Sequence, residues 1–401
     1  MGCGACASIC PEGNVRLLDV EKDGIRPFVN ASNCKACGTC LKVCPGIHNN
    51  VTWNFSGNHP GQNDSFKRWG NVLEFWEGFA SDPEVRFKGS SGGLCTALSL
   101  YCLDQGIAGG VLHIGADPEV PWKNRTFRST CREEIIERTG SRYCPASPCE
   151  ALRWIEQAPD RSVFIGKPCD VDGFRHAQKL RLELSEKTCL AIGFFCAGTP
   201  STSGTLELFR QHGVNPNKVD SFRCRGMGWP GMATLKFKDP GKPLFALSYQ
   251  ESWGFVQKYR QFRCYLCPDL TAELSDISVG DPWYREIGED EPGRSLVLIR
   301  TAKGREIFHQ AMAKGYVSAE RIGPEIIYRS QKNLLTKRQA IWGRLLAMKL
   351  MGIPTPKLEG FHLFENWLDL PFGEKFRSVG GTLRRIIQRK YYKRKKTIDR
   401  L

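Results

Sequence analysis

Seven of the first forty-four residues are cysteine: Cys3, Cys6, Cys10, Cys34, Cys37, Cys40 and Cys44. The second group, Cys34-Lys-Ala-Cys37-Gly-Thr-Cys40-Leu-Lys-Val-Cys44-Pro45, is a complete C-x2-C-x2-C-x3-C-P run. That run wraps a four-iron, four-sulfur (4Fe-4S) cluster, whose iron needs soft thiolate ligands. The first group, Met1 to Pro11, is the same run without its first cysteine. In paired runs the fourth cysteine ligates the other cluster. One set is then Cys34, Cys37, Cys40 and Cys10, and the other is Cys3, Cys6, Cys44 and a ligand the sequence does not supply. Either a cysteine precedes Met1 in a longer chain, or the site holds a three-iron cluster or one labile iron. The register fails only where the chain begins, which favours the first. A zinc ribbon, built from separated C-x2-C pairs, does not explain such runs ending in proline.

The rest of the chain is too long to be a ferredoxin alone. Its 401 residues suggest two or three domains. With 41% hydrophobic and 25% charged residues it is an ordinary globular sequence. No apolar run reaches the ~18 residues of a membrane span, and no signal peptide precedes the cluster cysteines. Eighteen cysteines, several in C-x-x-C groups, point to metal binding in a reducing compartment, so the expected location is cytoplasmic. The net charge of +15 is uneven: eight Lys or Arg and no acid fall between Arg384 and Lys396. This does not support nucleic-acid binding. The plainest reading of the tail is a solvated terminal helix. Peripheral docking to anionic lipid and an acidic redox partner are the alternatives.

Along the chain, residues 1–46 form the cluster module, its two runs separated by a hairpin-like spacer with a Lys-Asp-Gly turn. Residues 47–72 read as a polar linker in which Trp53 and Phe55 pack on the next domain. From 73 to about 215 the texture is α/β: Gly89-Ser90-Ser91-Gly92-Gly93 starts a helix that stops at Gly106, and short apolar strands follow. Residues 216–350 bring a more antiparallel portion and then helices, and 351–401 a helical extension.

A second cysteine group is dispersed: Cys169, Cys196 and the pair Cys264-Tyr-Leu-Cys267. Zinc, a third cluster and buried structural cysteines all fit the spacing, and the company of ferredoxin clusters makes a third 4Fe-4S cluster the coherent choice. Cys224 is a rival for the fourth place. Cys95, Cys102, Cys131, Cys144, Cys149 and Cys189 read as small buried residues. The glycine-serine loop before a helix suits an anion.

Taken together, the motifs resemble the coenzyme F420 hydrogenase/dehydrogenase beta-subunit family (coenzyme F420 is a deazaflavin hydride carrier). The shared features run from Cys3 to about residue 350: the ferredoxin run, SSGG at 90–93, GSRY at 140–143, GKPCD at 166–170, FFCAGTPS at 194–201, RGMGWPG at 225–231, and RCYLCPD through SDISVGD at 263–281. The resemblance implies FAD and 4Fe-4S clusters. It implies that Ser91, Gly92 and Gly93 hold FAD phosphates and that Ser141, Arg142 and Tyr143 lie near the flavin. Cys169, Cys196, Cys264 and Cys267 would hold a relay cluster, and Asp281 would bind the ribityl chain or deliver a proton. FCAGTPS and GWPG look most similar to a bacterial branch near polysaccharide genes.

The expected fold is α+β or α/β: a two-cluster ferredoxin-like module, a mixed α/β flavin-binding domain and a helical C-terminal region. The expected function is an FAD- and iron–sulfur-dependent oxidoreductase taking electrons from reduced ferredoxin to an organic acceptor. The alternative is an electron-transfer beta subunit docked to a hydrogenase or dehydrogenase.

Overall fold

The computed structural model describes residues 2–52, 64–286, 288 and 291–393. The expected packing of Trp53 and Phe55 falls outside these residues. The spacer in the cluster module is the predicted hairpin. β1 (Val15–Val20) pairs antiparallel with β2 (Gly24–Val29), Val15 opposite Val29 and Val20 opposite Gly24. The described residues of 47–72 carry regular structure. β3 (His48–Asn50) lies parallel to the strand Lys357–Glu359, so the start of the linker is clamped by the far end of the chain. The helix Asp64–Trp69 follows, and Trp69 is fully buried.

The body is built on one sheet. Its first strands are β4 (Glu74–Ala80), β5 (Gly110–Ala116), β6 (Asn124–Ser129), β7 (Ser162–Gly166) and β8 (Thr188–Phe194). A separate antiparallel sheet holds β9 (Val219–Arg223), β10 (Ala233–Phe237) and β11 (Phe245–Leu247). The chain then returns to the large sheet with β12 (Ile277–Gly280), β13 (Ser295–Ile299) and β14 (Val317–Arg321). The strand order is β14-β4-β13-β12-β8-β7-β5-β6. The centre, β5-β7-β8-β12, is parallel, and both flanks are antiparallel.

Strands from both sides of residue 215 share one sheet. The region after 303 is mostly helical, and it also supplies β14 to that sheet. β14 escapes the sequence pattern because Val-Ser-Ala-Glu-Arg is an edge strand with mostly exposed side chains.

The parallel strands are apolar on both faces because helices cover both. Val163, Leu190 and Ile192 point to one core with the helices Leu94–Asp104 and Ala302–Ala313. Their neighbours Phe164 and Ala191 point to the other, as the two-residue period of a strand requires. In that second core Phe174 of the helix Pro168–Leu180 stacks on Phe164 at 4.2 Å. Cys3, Ala5 and Ile9 of the cluster module pack into the same core, so the module is fused to the body.

Candidate functional site

In open sheets with parallel strands, ligands bind beyond the carboxyl ends of the strands. Here those ends deliver the residues singled out above. Lys167, Cys169 and Asp170 follow β7, Cys196 follows β8, and Asp281 follows β12. Lys167, Asp170, Cys196 and Asp281 border a cavity of 750 Å³, within the size range of sites for small ligands and cofactors.

Four thiols gather at one side of it. Cys169 is affected electrostatically by Cys267 and Cys196, Cys196 by Cys264, and Cys267 by Cys264 and Cys196. Burial first, then Cys264, pushes Cys196 up to about 11; burial first, then Asp170 for Cys169 and Asp269 for Cys267 ahead of the neighbouring thiols, push these two well above the usual thiol value. Thiols so placed need a cation to stay ionised. The backbone N–H of Gly198 donates to Cys196 Sγ at 3.4 Å, and that of Thr199 to Cys264 Sγ at 3.4 Å. Such donors are suited to ligating thiolates. Among the described residues no three such side chains close on a single metal ion. A four-iron cluster, wider than one ion, would take one thiolate at each iron. The rival Cys224 lies elsewhere: its sulfur accepts from the N–H of Tyr143 at 3.3 Å.

The N-terminal set obeys similar geometry. Burial first, then Cys3, Cys44 and Cys40, push Cys6 up to about 12. Cys34 and Cys37 are exposed. Cys131, expected to be buried, is exposed at the start of the helix Arg132–Glu137. Cys149, in contrast, is fully buried and donates its N–H to the carbonyl of Cys3 at 2.8 Å. One helix joins the two regions. Pro168–Leu180 places Cys169 in its first turn, while a Cβ at Gly173 would lie 2.9 Å from Cys3 Sγ. Gly173→Val is therefore expected to displace Cys3 and empty the cluster it serves. Iron counting and the electron paramagnetic resonance (EPR) spectrum of the reduced protein would show this, with the Cys169 set unchanged.

Between the inner thiols and the cavity sits Lys167, which the sequence shows only as part of a motif. Its Nζ donates to Asp170 Oδ1 at 2.6 Å and Oδ2 at 2.7 Å, and both residues are buried. Burial works against the charge, but Asp170 and the neighbouring thiol Cys169 outweigh it and keep Lys167 protonated. Lys337 also faces this set and donates to Ala197 O at 3.1 Å. Burial first, then Arg260, pull it down to about 8.

The other wall is aromatic and cationic. Arg225 sits 5.0 Å from the Tyr249 ring centre and 5.3 Å from that of Trp283, and these two rings stack at 5.0 Å. Tyr143 lies 4.6 Å from Trp253, and burial pushes its hydroxyl up to about 12. Asp281 is not a free acid. Its Oδ1 accepts from Arg225 Nη2 at 2.7 Å and Trp229 Nε1 at 2.9 Å, and its Oδ2 from Arg225 Nη1 at 3.0 Å. It holds Arg225 in place.

Several donors of the residues expected at the phosphates (Ser91, Gly92) and near the flavin (Ser141, Arg142) are engaged within the fold. Ser91 Oγ donates to Arg294 O at 2.5 Å, and the Gly92 N–H to Ser295 Oγ at 2.8 Å. Ser141 N–H donates to Ser90 Oγ at 2.5 Å. Arg142 donates to Asn124 Oδ1 and to the carbonyls of Phe222, Pro121 and Lys123. What the loop leaves open is the start of the helix Leu94–Asp104, capped by Gly93 at φ 73°. Its first N–H groups have no acceptor within the helix, and Leu94, Cys95 and Thr96 line the cavity.

His113 of β5 also lines the cavity, its Nε2 2.8 Å from Ser129 Oγ. Burial first, then Arg138, pull it down to about 4 from 6.5. Its folded value lies below its unfolded value, so the unfolded chain binds more protons between pH 6.5 and 4. The contribution is complete above pH 6.5 and is lost as pH falls to 4, at most about 3 kcal/mol. In denaturant titrations at pH 7 and 4.5, His113→Gln is expected to narrow the difference.

Residues 160–325 match the family model for the C terminus of the coenzyme F420 hydrogenase/dehydrogenase beta subunit, and residues 75–153 match its N-terminal counterpart. Residues 1–46 match a 4Fe-4S dicluster domain. The chain belongs to the coenzyme F420 hydrogenase/dehydrogenase beta-subunit family. The two family segments meet between 153 and 160, just before β7, rather than near 215. Among relatives, the coenzyme F420 hydrogenase subunit beta of Methanosarcina barkeri is 26% identical over 65% of this chain and 87% of its own. The coenzyme F420-dependent sulfite reductase of Methanocaldococcus jannaschii is 26% identical over 80% of this chain, which spans 47% of that longer protein. The F420-dependent formate dehydrogenase 1 subunit beta of Methanococcus maripaludis is 27% identical over 61% of each. A chain in the solved F420-reducing NiFe hydrogenase complex of Methanosarcina barkeri shares the fold, with a TM-score of 0.56 and 22% identity over 74% of this chain and 99% of that one. A dicluster domain joined to both segments of this family makes the protein an iron–sulfur electron-transfer oxidoreductase.

Proposed function

We propose that the protein carries electrons between a one-electron donor such as reduced ferredoxin and a flavin-type ring in the 750 Å³ cavity, as the electron-transfer subunit of a larger hydrogenase- or dehydrogenase-like assembly. The supporting observation is the helix Pro168–Leu180, which touches Cys3 with one face and carries in its first turn both Cys169 and Asp170, the latter on the cavity wall. It gives the clusters an order. The exposed Cys34 and Cys37 mark the outer cluster, where a partner docks. The Cys3, Cys6 and Cys44 set comes next, then the Cys169, Cys196, Cys264 and Cys267 set, then the cavity.

The cavity fits a planar ring with an anionic tail, either FAD or the deazaflavin coenzyme F420. Tyr143, Tyr249 and Trp283 offer faces, and the start of the helix Leu94–Asp104 offers N–H groups to the tail. When bound, such a ring supplies two-electron hydride chemistry. The chain's residues do the rest. Arg225, clamped by Asp281, holds a fixed charge beside the aromatic faces. Lys167 holds another beside the inner thiols, a lever that raises a cluster's potential. Trp229, Trp253 and Trp283 exclude water.

A free-standing reductase in polysaccharide biosynthesis has less support, since the relatives named above are F420-linked hydrogenase, dehydrogenase and sulfite reductase chains. The test is anaerobic purification, loading with FAD or F420, and addition of reduced ferredoxin. Bleaching of the ring absorbance after the cluster signals appear supports the reading. Clusters that reduce while neither ring binds would refute it.

A further inference from the structure

The C-terminal helix Phe372–Gln388 is unevenly dressed. One face is held by the body. Ser378, Thr382 and Ile386 are buried, Ile386 packs with Ile341, Leu345 and Met348 of the helix Ile341–Leu350, and Trp367 Nε1 donates to Ser378 Oγ at 3.1 Å. The approach is close: a Cβ on Gly343 would collide with Ser378 Oγ. The helix is therefore not a loose tail, and its outer side is presented in a fixed direction.

That outer side is apolar where solvent should demand polarity. Phe372 is 76% exposed, Phe376 67% and Ile387 57%. At 3.6 residues per turn these three fall within roughly 60° of one another around the axis. The two phenyl rings contact each other at 5.2 Å and nothing covers them among the described residues. Arg377 and Arg384 lie next round the helix and are exposed. The run that starts at Arg384 and ends at Lys396 holds eight cations, Arg384 included, and no acid. No helix among the described residues is long and apolar enough to cross a membrane.

We propose that this helix and the basic run after it dock the protein on an anionic lipid surface, lying in the interface without spanning it. An apolar stripe flanked by cations is what such a surface binds. Each Lys or Arg near the headgroups adds about 1 kcal/mol, and neither the stripe nor the charge suffices alone, because stable peripheral binding takes two signals. A protein partner is the poorer fit: thirteen consecutive residues without an acid match a uniformly negative surface.

The test is co-sedimentation of the full, cluster-loaded chain with vesicles, run anaerobically. Binding is expected to vesicles of equal phosphatidylglycerol and phosphatidylcholine, but not to phosphatidylcholine alone, and to fall as salt is raised. The double variant Phe372→Ser, Phe376→Ser is expected to bind at least ~10-fold more weakly, with unchanged iron content and sedimentation coefficient. A variant with Arg389, Lys390 and Lys393 changed to Gln should weaken binding independently of the phenylalanines. If the native chain ignores anionic vesicles, or the double variant binds them as well as the native chain, the proposal is wrong. It is equally overturned if the native chain is a dimer that the double variant converts to monomer without vesicle binding in either, since the stripe would then be a contact between copies.

Discussion

Cys196→Ala is expected to cost the protein about four irons per chain and to sever the cavity from the N-terminal clusters, while the fold survives. Cys196 lies two residues beyond β8, whose residues Leu190, Ala191 and Ile192 are fully buried, so the backbone leading to it is fixed by packing on both faces. The thiol itself contributes little to that packing. Its loss removes one corner of the inner set and leaves only Cys169, Cys264 and Cys267, too few to hold a cube that takes one thiolate at each iron. Cys224→Ala is the matched control: it removes a buried thiol near the cavity that lies apart from the inner set, and it should leave the iron count alone. Iron and sulfide assays, with EPR of the dithionite-reduced protein, read the first effect. The second appears on adding reduced ferredoxin: the outer clusters should still reduce, and the ring absorbance should not bleach. An unchanged iron count in Cys196→Ala would show that the inner thiols hold no cluster.

The contrast between the two cysteine groups explains how far the sequence could be read. Cys34, Cys37, Cys40 and Cys44 were legible because one loop supplies them, so the spacing itself is the geometry. The hairpin Val15–Val29 and the strands β7, β8 and β12 were legible for a similar reason: alternation and turn chemistry are local. Cys169 and Cys196 follow neighbouring strands only because β7 and β8 are adjacent and parallel, and adjacency of strands is set by the whole sheet. Arg142 was only partly legible for the opposite reason. It lines the cavity, but its acceptors at 121, 123, 124 and 222 come from other segments of the fold. β14 was silent because an edge strand with exposed polar residues carries no burial pattern. Arg225 and Trp229 stood in a recognisable motif, but nothing in RGMGWPG says that both converge on Asp281.

Arg225→Leu is expected to lower stability by about 3 kcal/mol, the low end for breaking a buried ion pair because Asp281 keeps some exposure. The arginine is 3% exposed and donates to Asp281, to Ser90 O and to Pro230 O. Leucine fills part of its volume and satisfies none of these acceptors, and an uncompensated buried polar group is the costly outcome. The same change removes the charge beside Tyr249 and Trp283, so a ring reconstituted into the cavity should bind at least ~10-fold more weakly, read by fluorescence titration. Denaturant unfolding of the cluster-loaded chain reads the stability change. Asp281→Asn separates the two roles considered for the aspartate. If Asp281 positions Arg225, the amide should weaken stability and ring binding together, and the pH dependence of ring reduction should keep its shape. If Asp281 delivers a proton, the amide should leave ring binding intact and abolish one limb of that pH profile. With both carboxylate oxygens already accepting hydrogen bonds from Arg225 and Trp229, the geometry favours the first outcome.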